Sequence, residues 1–204
     1  LAVCSLGVLG GYADIDKHLY YAEIRFCDGV GPETDGYTID YKYFSPVGQD
    51  DTTKYPLVIW LHGMGNGSKP GAQLVGSDIE AWVTDELQSR FKDSEGAFIF
   101  APRSPEDQRI YWEDCLIRPL RATIDDFIAI NKDNIDLSRI YIGGYSMGGK
   151  MTLKMAVAYP EFFAAAFPIC PAWMPSTAQT EKIADMPVWL TSCVIDPLVN
   201  YFSS

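Results

Sequence analysis

Ser146 stands between glycines in the run Gly143-Gly144-Tyr145-Ser146-Met147-Gly148-Gly149-Lys150, a setting in which a hydroxyl can serve as a nucleophile. Ile140, Tyr141 and Ile142 before it are β-branched or aromatic and suit a buried strand. Met151, Leu153, Met155, Ala156 and Val157 after it favour a helix running to Tyr159, which Pro160 ends. Gly144 and Gly148 fall where a tight strand-to-helix turn leaves no room for a Cβ. Such a turn lifts the serine oxygen clear of the sheet. It also aims the amide of Met147, at the positive end of a helix, at any oxyanion forming beside the serine. The plainer alternative is a surface serine in a glycine-rich turn, and the strand before and helix after favour the chemical reading. A phosphate-cradling loop is disfavoured, because Lys150 is followed by methionine and threonine and the Gly-Lys-Ser/Thr ending is absent.

Placing that serine takes buried strands and covering helices. The run 56–61 is continuously apolar, as in a strand covered on both faces, and leads into His62-Gly63-Met64-Gly65-Asn66-Gly67. A glycine-rich loop at the end of such a strand can supply a second backbone donor to an oxyanion, and Met64 is the residue placed to do so. Ser77-Asp78-Ile79-Glu80 has capping-box spacing, and Trp82, Val83, Leu87 and Phe91 follow on one face, which predicts a single helix packed on the sheet. A buried strand is predicted over 97–101, stopped by Pro102, with a loop over 103–112. The next helix carries Leu116, Leu120, Ile124, Phe127, Ile128 and Asn131, with Pro119 in its first turn. Further strands are predicted over 162–170 and 188–195, the last ending at Asp196. Near the start, 21–26 and 37–44 alternate like half-exposed antiparallel strands around the turn-rich 28–36 and read as a leading hairpin. A hairpin followed by alternating strands and helices predicts an α/β fold, a mostly parallel sheet with helices on both faces. Loops that follow strands build pockets, so Trp112 and Trp173, with Ala172 and Met174, form either an apolar substrate wall or core packing.

The 204 residues, 48% of them hydrophobic, suit one domain over 1–204. A formal charge of −11, from 16 basic and 27 acidic residues, repels nucleic-acid backbones and anionic membranes. That charge fits a neutral or small substrate better, and no apolar run is long enough to span a bilayer. Cys4, Cys27, Cys115, Cys170 and Cys193 are widely spaced without a Cys-x-x-Cys pair, and neither a metal nor a cofactor is expected. Cys170 and Cys193 lie in apolar runs and read as buried thiols, favouring a reducing, cytoplasmic compartment. The apolar opening 1–9 keeps a secreted alternative open as the remnant of a signal segment, although no basic flank precedes it. The chain begins without methionine, and a cropped or processed N-terminus is expected.

Together these residues resemble the α/β-hydrolase superfamily, in its dienelactone-hydrolase, feruloyl-esterase and prolyl-oligopeptidase-like branch. The resemblance rests on Leu61-His62-Gly63-Met64-Gly65, on the glycine-flanked Ser146, and on the strand delivering Asp196 with Pro197 and Val199 behind it. It implies Ser146 as nucleophile, Asp196 as triad acid and the backbone amides of Met64 and Met147 as the oxyanion hole. The implied activity is cleavage of carboxylic esters through an acyl-enzyme, and the implied partner is a small-molecule ester or peptide. A prolyl-oligopeptidase-like serine peptidase is the alternative, and a non-catalytic binding module of the same fold is a second. One departure stands out: the family places its catalytic histidine after the acid, and the eight residues beyond Asp196 include none. The histidines are His18, in a polar segment, and His62, whose side chain the resemblance implies to be structural. The expectation is therefore a chain truncated before its last strand, histidine loop and final helix. Without a positioned base a serine retains only about 10³–10⁴-fold over water, so these residues alone are expected to be nearly inactive.

Overall fold

A computed structural model describes residues 26–50, 52–65, 72–74, 79–105 and 111–193. The strand that organises it is β3 (Tyr55–Leu61), every residue of which is buried. Its side chains alternate between two hydrophobic clusters, Leu57, Ile59 and Leu61 in one and Val58 and Trp60 in the other. Period-two alternation with both faces apolar requires a cover on each side of the sheet.

Among the described residues the sheet has six strands, in the order β1-β2-β4-β3-β5-β6. The others are β1 (Cys27–Val30), β2 (Asp40–Phe44), β4 (Phe98–Pro102), β5 (Ile135–Tyr145) and β6 (Ala165–Ile169). β1 and β2 pair antiparallel, β2 meets β4 antiparallel, and β3, β4, β5 and β6 run parallel. One face is covered by α3 (Ile117–Ile130), through Leu120, Ile124 and Phe127, and by α4 (Met147–Ala158), through Met151, Met155 and Ala156. The other is covered by α1 (Ile79–Trp82), through Ile79, with Val83 and Leu74. The expected mostly parallel α/β sheet with a leading hairpin and helices on both faces is thus the fold observed.

Several elements differ from expectation. The leading strand is β1, C-terminal to the predicted 21–26, whose residues up to Arg25 lie outside the described residues. Asp28 and Gly29 have little strand propensity of their own; Asp28 pairs with Lys42 at 3.0 Å, and the Tyr41 ring lies across Gly29, where a Cβ would meet it at 2.2 Å. β2 starts at Asp40 because Thr34 to Tyr37 close a two-residue turn, in which Asp35 and Gly36 both have positive φ, 53° and 81°. The single helix predicted from the capping box is two one-turn pieces, α1 and α2 (Asp85–Gln88). Thr84 adopts extended backbone and caps α2 through Leu87 N at 3.3 Å, while Gln88 donates to the Trp82 carbonyl at 2.6 Å and accepts from Ala97 N at 2.9 Å. The capping residues Ser77 and Asp78 lie outside the described residues. β5 is longer than its β-branched core suggested, and β6 shorter. Segment 187–191 runs beside β6 through parallel bridges at Val188 and Thr191; residues 194 onward, including Asp196, lie outside the described residues. Cys193 is exposed, and Cys170, in the turn after β6 with φ 42°, is half-buried, so neither is the buried thiol expected. The compartment argument built on them therefore falls away.

Among the described residues no helix is long and apolar enough to cross a membrane. Phe127 joins α3 to the sheet, its ring 4.9 Å from Phe100, 5.3 Å from Tyr43 and 5.7 Å from Tyr41, with 1% of its surface exposed. Phe127→Ala is expected to cost about 3–5 kcal/mol in urea unfolding, since the cavity left between helix and strands cannot collapse.

Candidate active site

Ser146 occupies the one-residue turn between β5 and α4, with φ 56° and ψ −116°. A left-handed φ at a residue bearing a Cβ costs about 1–3 kcal/mol and persists only where surroundings impose it. Here they do: Ser146 N–H donates to the Ile169 carbonyl at 2.9 Å, and its own carbonyl accepts from Ala172 N at 3.1 Å and Lys150 N at 2.9 Å. The glycines around it answer to close backbone contact. A Cβ on Gly144 would lie 2.4 Å from the Leu61 carbonyl oxygen, and one on Gly148 2.0 Å from that atom and 2.6 Å from the His62 oxygen. Gly149 is pressed on the other side by the Ile169 oxygen, 2.9 Å from where its Cβ would be. Met147 is the first residue of α4, so its amide has no carbonyl partner within the helix and sits at the positive end of the helix dipole.

The loop leaving β3 is set by His62. The ring is buried, 1% exposed; its Nε2 accepts from Ser104 N–H at 3.0 Å, which leaves the proton on Nδ1, 2.6 Å from the Gly63 carbonyl oxygen. Burial, the largest cause, pushes its pKa down to about 4; the Arg103 charge adds to the effect and the Gly63 carbonyl opposes it. In a trans peptide the carbonyl of one residue and the amide of the next point opposite ways. With the Gly63 carbonyl held by its own neighbour's ring, the Met64 N–H is turned to the opposite side. The Tyr145 ring lies against Gly63, 2.7 Å from where a Cβ would stand, so the Met64 loop and the Ser146 turn are packed neighbours.

The other predicted residues are distributed as follows. Trp112 is 1% exposed, belongs to the core cluster, and donates its indole N–H to the His62 carbonyl at 2.8 Å. Trp173 follows β6, is half-buried, and carries Lys154 Nζ over its ring at 4.8 Å from the centroid. Met64 exposes 64% of its surface. Asp196 and His18 lie outside the described residues. Sequence reasoning did not single out Ser104 or Glu113 and weighed Lys150 only as a phosphate-loop lysine, because their partners are 42 and 37 positions away and leave no local pattern. A cavity of about 530 Å³ opens elsewhere, lined by Val47, Asp85, Gln88, Ser89, Lys92 and Glu95, and none of these groups bears on Ser146.

Among the described residues, a mostly parallel sheet in which β5, between β3 and β6, ends in this serine turn has the α/β-hydrolase fold. The chain belongs to the phospholipase/carboxylesterase family, whose model matches residues 103–204. It is 28% identical over 121 residues to feruloyl esterase B of Neurospora crassa, covering 55% of this chain and 38% of that protein. It is similar to the crystal structure of a thermostable esterase, 31% identical with a TM-score of 0.73, over 86% of this chain and 48% of the other. A ferulic acid esterase at 16% identity and a TM-score of 0.55, over 72% of this chain and 60% of that one, shares the fold. The chain spans less than half the length of the first two of these relatives.

Two outcomes are expected. Gly148→Ala forces its methyl into two carbonyl oxygens, and should destabilise the protein by about 3 kcal/mol or more in urea unfolding. For His62, the folded pKa of about 4 lies below the ordinary 6.5, so between these values the unfolded chain binds the extra proton. Its contribution is full above pH 6.5 and is lost toward pH 4, about 3 kcal/mol in all. Urea titrations across that window should show the wild type losing more stability than His62→Gln, and equal slopes would refute the assignment.

Proposed function

We propose that this protein is a serine hydrolase that cleaves carboxylic esters through an acyl-enzyme on Ser146. The observation that carries the reading is the left-handed Ser146, held at its N–H and its carbonyl between the end of β5 and the start of α4. A residue kept in that conformation by three backbone bonds is strain maintained for use, and a hydroxyl is what the strain presents. In this reading the Ser146 hydroxyl attacks the ester carbonyl carbon, and the amides of Met64 and Met147 donate to the tetrahedral oxyanion. Collapse expels the alcohol and leaves an ester on Ser146, which water then hydrolyses. Asp196, in the sequence that follows segment 187–191, is assigned as the acid that orients the base.

His62 is not assigned as that base. Its Nδ1–H is spent on the Gly63 carbonyl and its Nε2 lone pair on Ser104 N–H, and burial keeps the ring neutral. A base must accept the serine proton and carry the charge, and this ring can do neither without giving up its contacts. The base is a histidine other than His62. Esters are favoured over amides because the matched family and the relatives named above are described as esterases. Trp173, half-buried beyond β6, is the aromatic residue proposed for the substrate wall.

The test uses the gene-encoded protein with p-nitrophenyl butyrate, a peptide anilide and a fluorophosphonate probe. One label at Ser146, ester turnover well above anilide turnover, and a loss of about 10³-fold or more in Ser146→Ala are expected. An unlabelled protein would point to a binding module, and preference for the anilide to a peptidase.

A further inference from the structure

Pairing between β3 and β5 ends at Leu61 opposite Gly144. Beyond it the Met64 loop and the start of α4 leave the sheet, and the Gly148 contact with Leu61 and His62 sets only how closely the two can approach. Three consecutive residues reach across this gap. Trp112 donates its indole N–H to the His62 carbonyl at 2.8 Å, with its ring centroid 5.1 Å from the imidazole. Glu113 takes both of its carboxylate oxygens to Lys150 Nζ, each at 2.9 Å. Asp114 pairs with Lys154 Nζ. Lys150 and Lys154 stand one turn apart on α4, and their side chains are only 13% and 14% exposed, so their stems are fixed by packing.

We propose that Trp112-Glu113-Asp114 is a strap that fixes the separation of the Met64 and Met147 amides, with Trp112 and Glu113 acting as positioning residues for ester hydrolysis. The inference rests on the serine-hydrolase reading above. His62 is two residues before Met64 and Lys150 three after Met147, so one anchor lies one peptide away from the Met64 donor and the other within the first turn of the helix that starts at the Met147 donor. Steric contact resists compression and the strap resists opening. A main-chain donor displaced by about 1 Å loses much of its effect on a developing charge while ground-state binding is barely touched. An ion pair of this exposure adds little to global stability, which separates the role from mere support of the fold.

The gene-encoded protein tests this through Trp112→Phe, which keeps an aromatic side chain smaller than the indole and deletes the N–H, and Glu113→Ala, which leaves the core intact. Each is expected to lower kcat on p-nitrophenyl butyrate about tenfold or more, with KM within about twofold. The swap Glu113→Lys with Lys150→Glu should recover most of what Glu113→Lys alone loses. Hydrogen exchange of segments 61–65 and 147–150 should quicken in both single variants. Unchanged exchange and kcat in Glu113→Ala, or a change in KM alone, would overturn the strap while leaving the hydrolase reading standing. If the wild type takes no fluorophosphonate label, the hydrolase reading fails, and the exchange rates still decide whether the strap holds the two segments together.

Discussion

No atom can be added at Gly148: the carbonyl oxygens of Leu61 and His62 already occupy the space a methyl would need. That contact makes β3, β5, α4 and β6 meet at one point. β3 arrives with its last carbonyls, β5 delivers the serine, α4 begins against those carbonyls, and the Ile169 oxygen of β6 closes the other side through Ser146 N–H and Gly149. Because four backbones converge without side chains between them, the turn has one available geometry. The unfavourable φ of Ser146 follows from that convergence and needs no local propensity to explain it.

The polar groups next to this point are satisfied in a closed sequence. Ser104 donates to the His62 ring, the ring to the Gly63 carbonyl, and Trp112 to the His62 carbonyl. All three bonds lie in buried surroundings, where leaving one partner unmet costs more than the bond itself contributes. A neutral imidazole with one donor and one acceptor nitrogen fits this chain of bonds, and a cation would break it. The single-proton state of His62 is thus a structural requirement of the loop.

How much of this could be read from residues varies with the range of the forces involved. The serine turn was legible because a β-branched run, glycines at fixed offsets and a methionine-rich helix all reflect contacts within a few positions. The alternation of β3 and the first-turn placement of Pro119 were legible for the same reason. The helix expected across 79–91 failed because periodicity ignores Thr84, whose hydroxyl starts a new turn, and Gln88, whose amide ties that turn to Ala97. β1 was missed because Cys27 to Val30 are strand only by virtue of β2 beside them. Trp112 was left open between wall and core, and only the position of His62, 50 residues away, accounts for its buried indole.

The two-layer alternation along β3 also governs where this chain can change length. Within 57–61 a single inserted or deleted residue would turn the remaining side chains over, sending one set of apolar groups into the other's layer. The pairing with β5 contains its own release. Between Tyr55 opposite Ile135 and Leu57 opposite Ile140, β5 already accommodates extra residues in a bulge, and Leu137 and Ser138 stand exposed there. Added or lost residues at 136–139 would be taken up in that bulge and leave both layers, and the serine turn downstream, in phase.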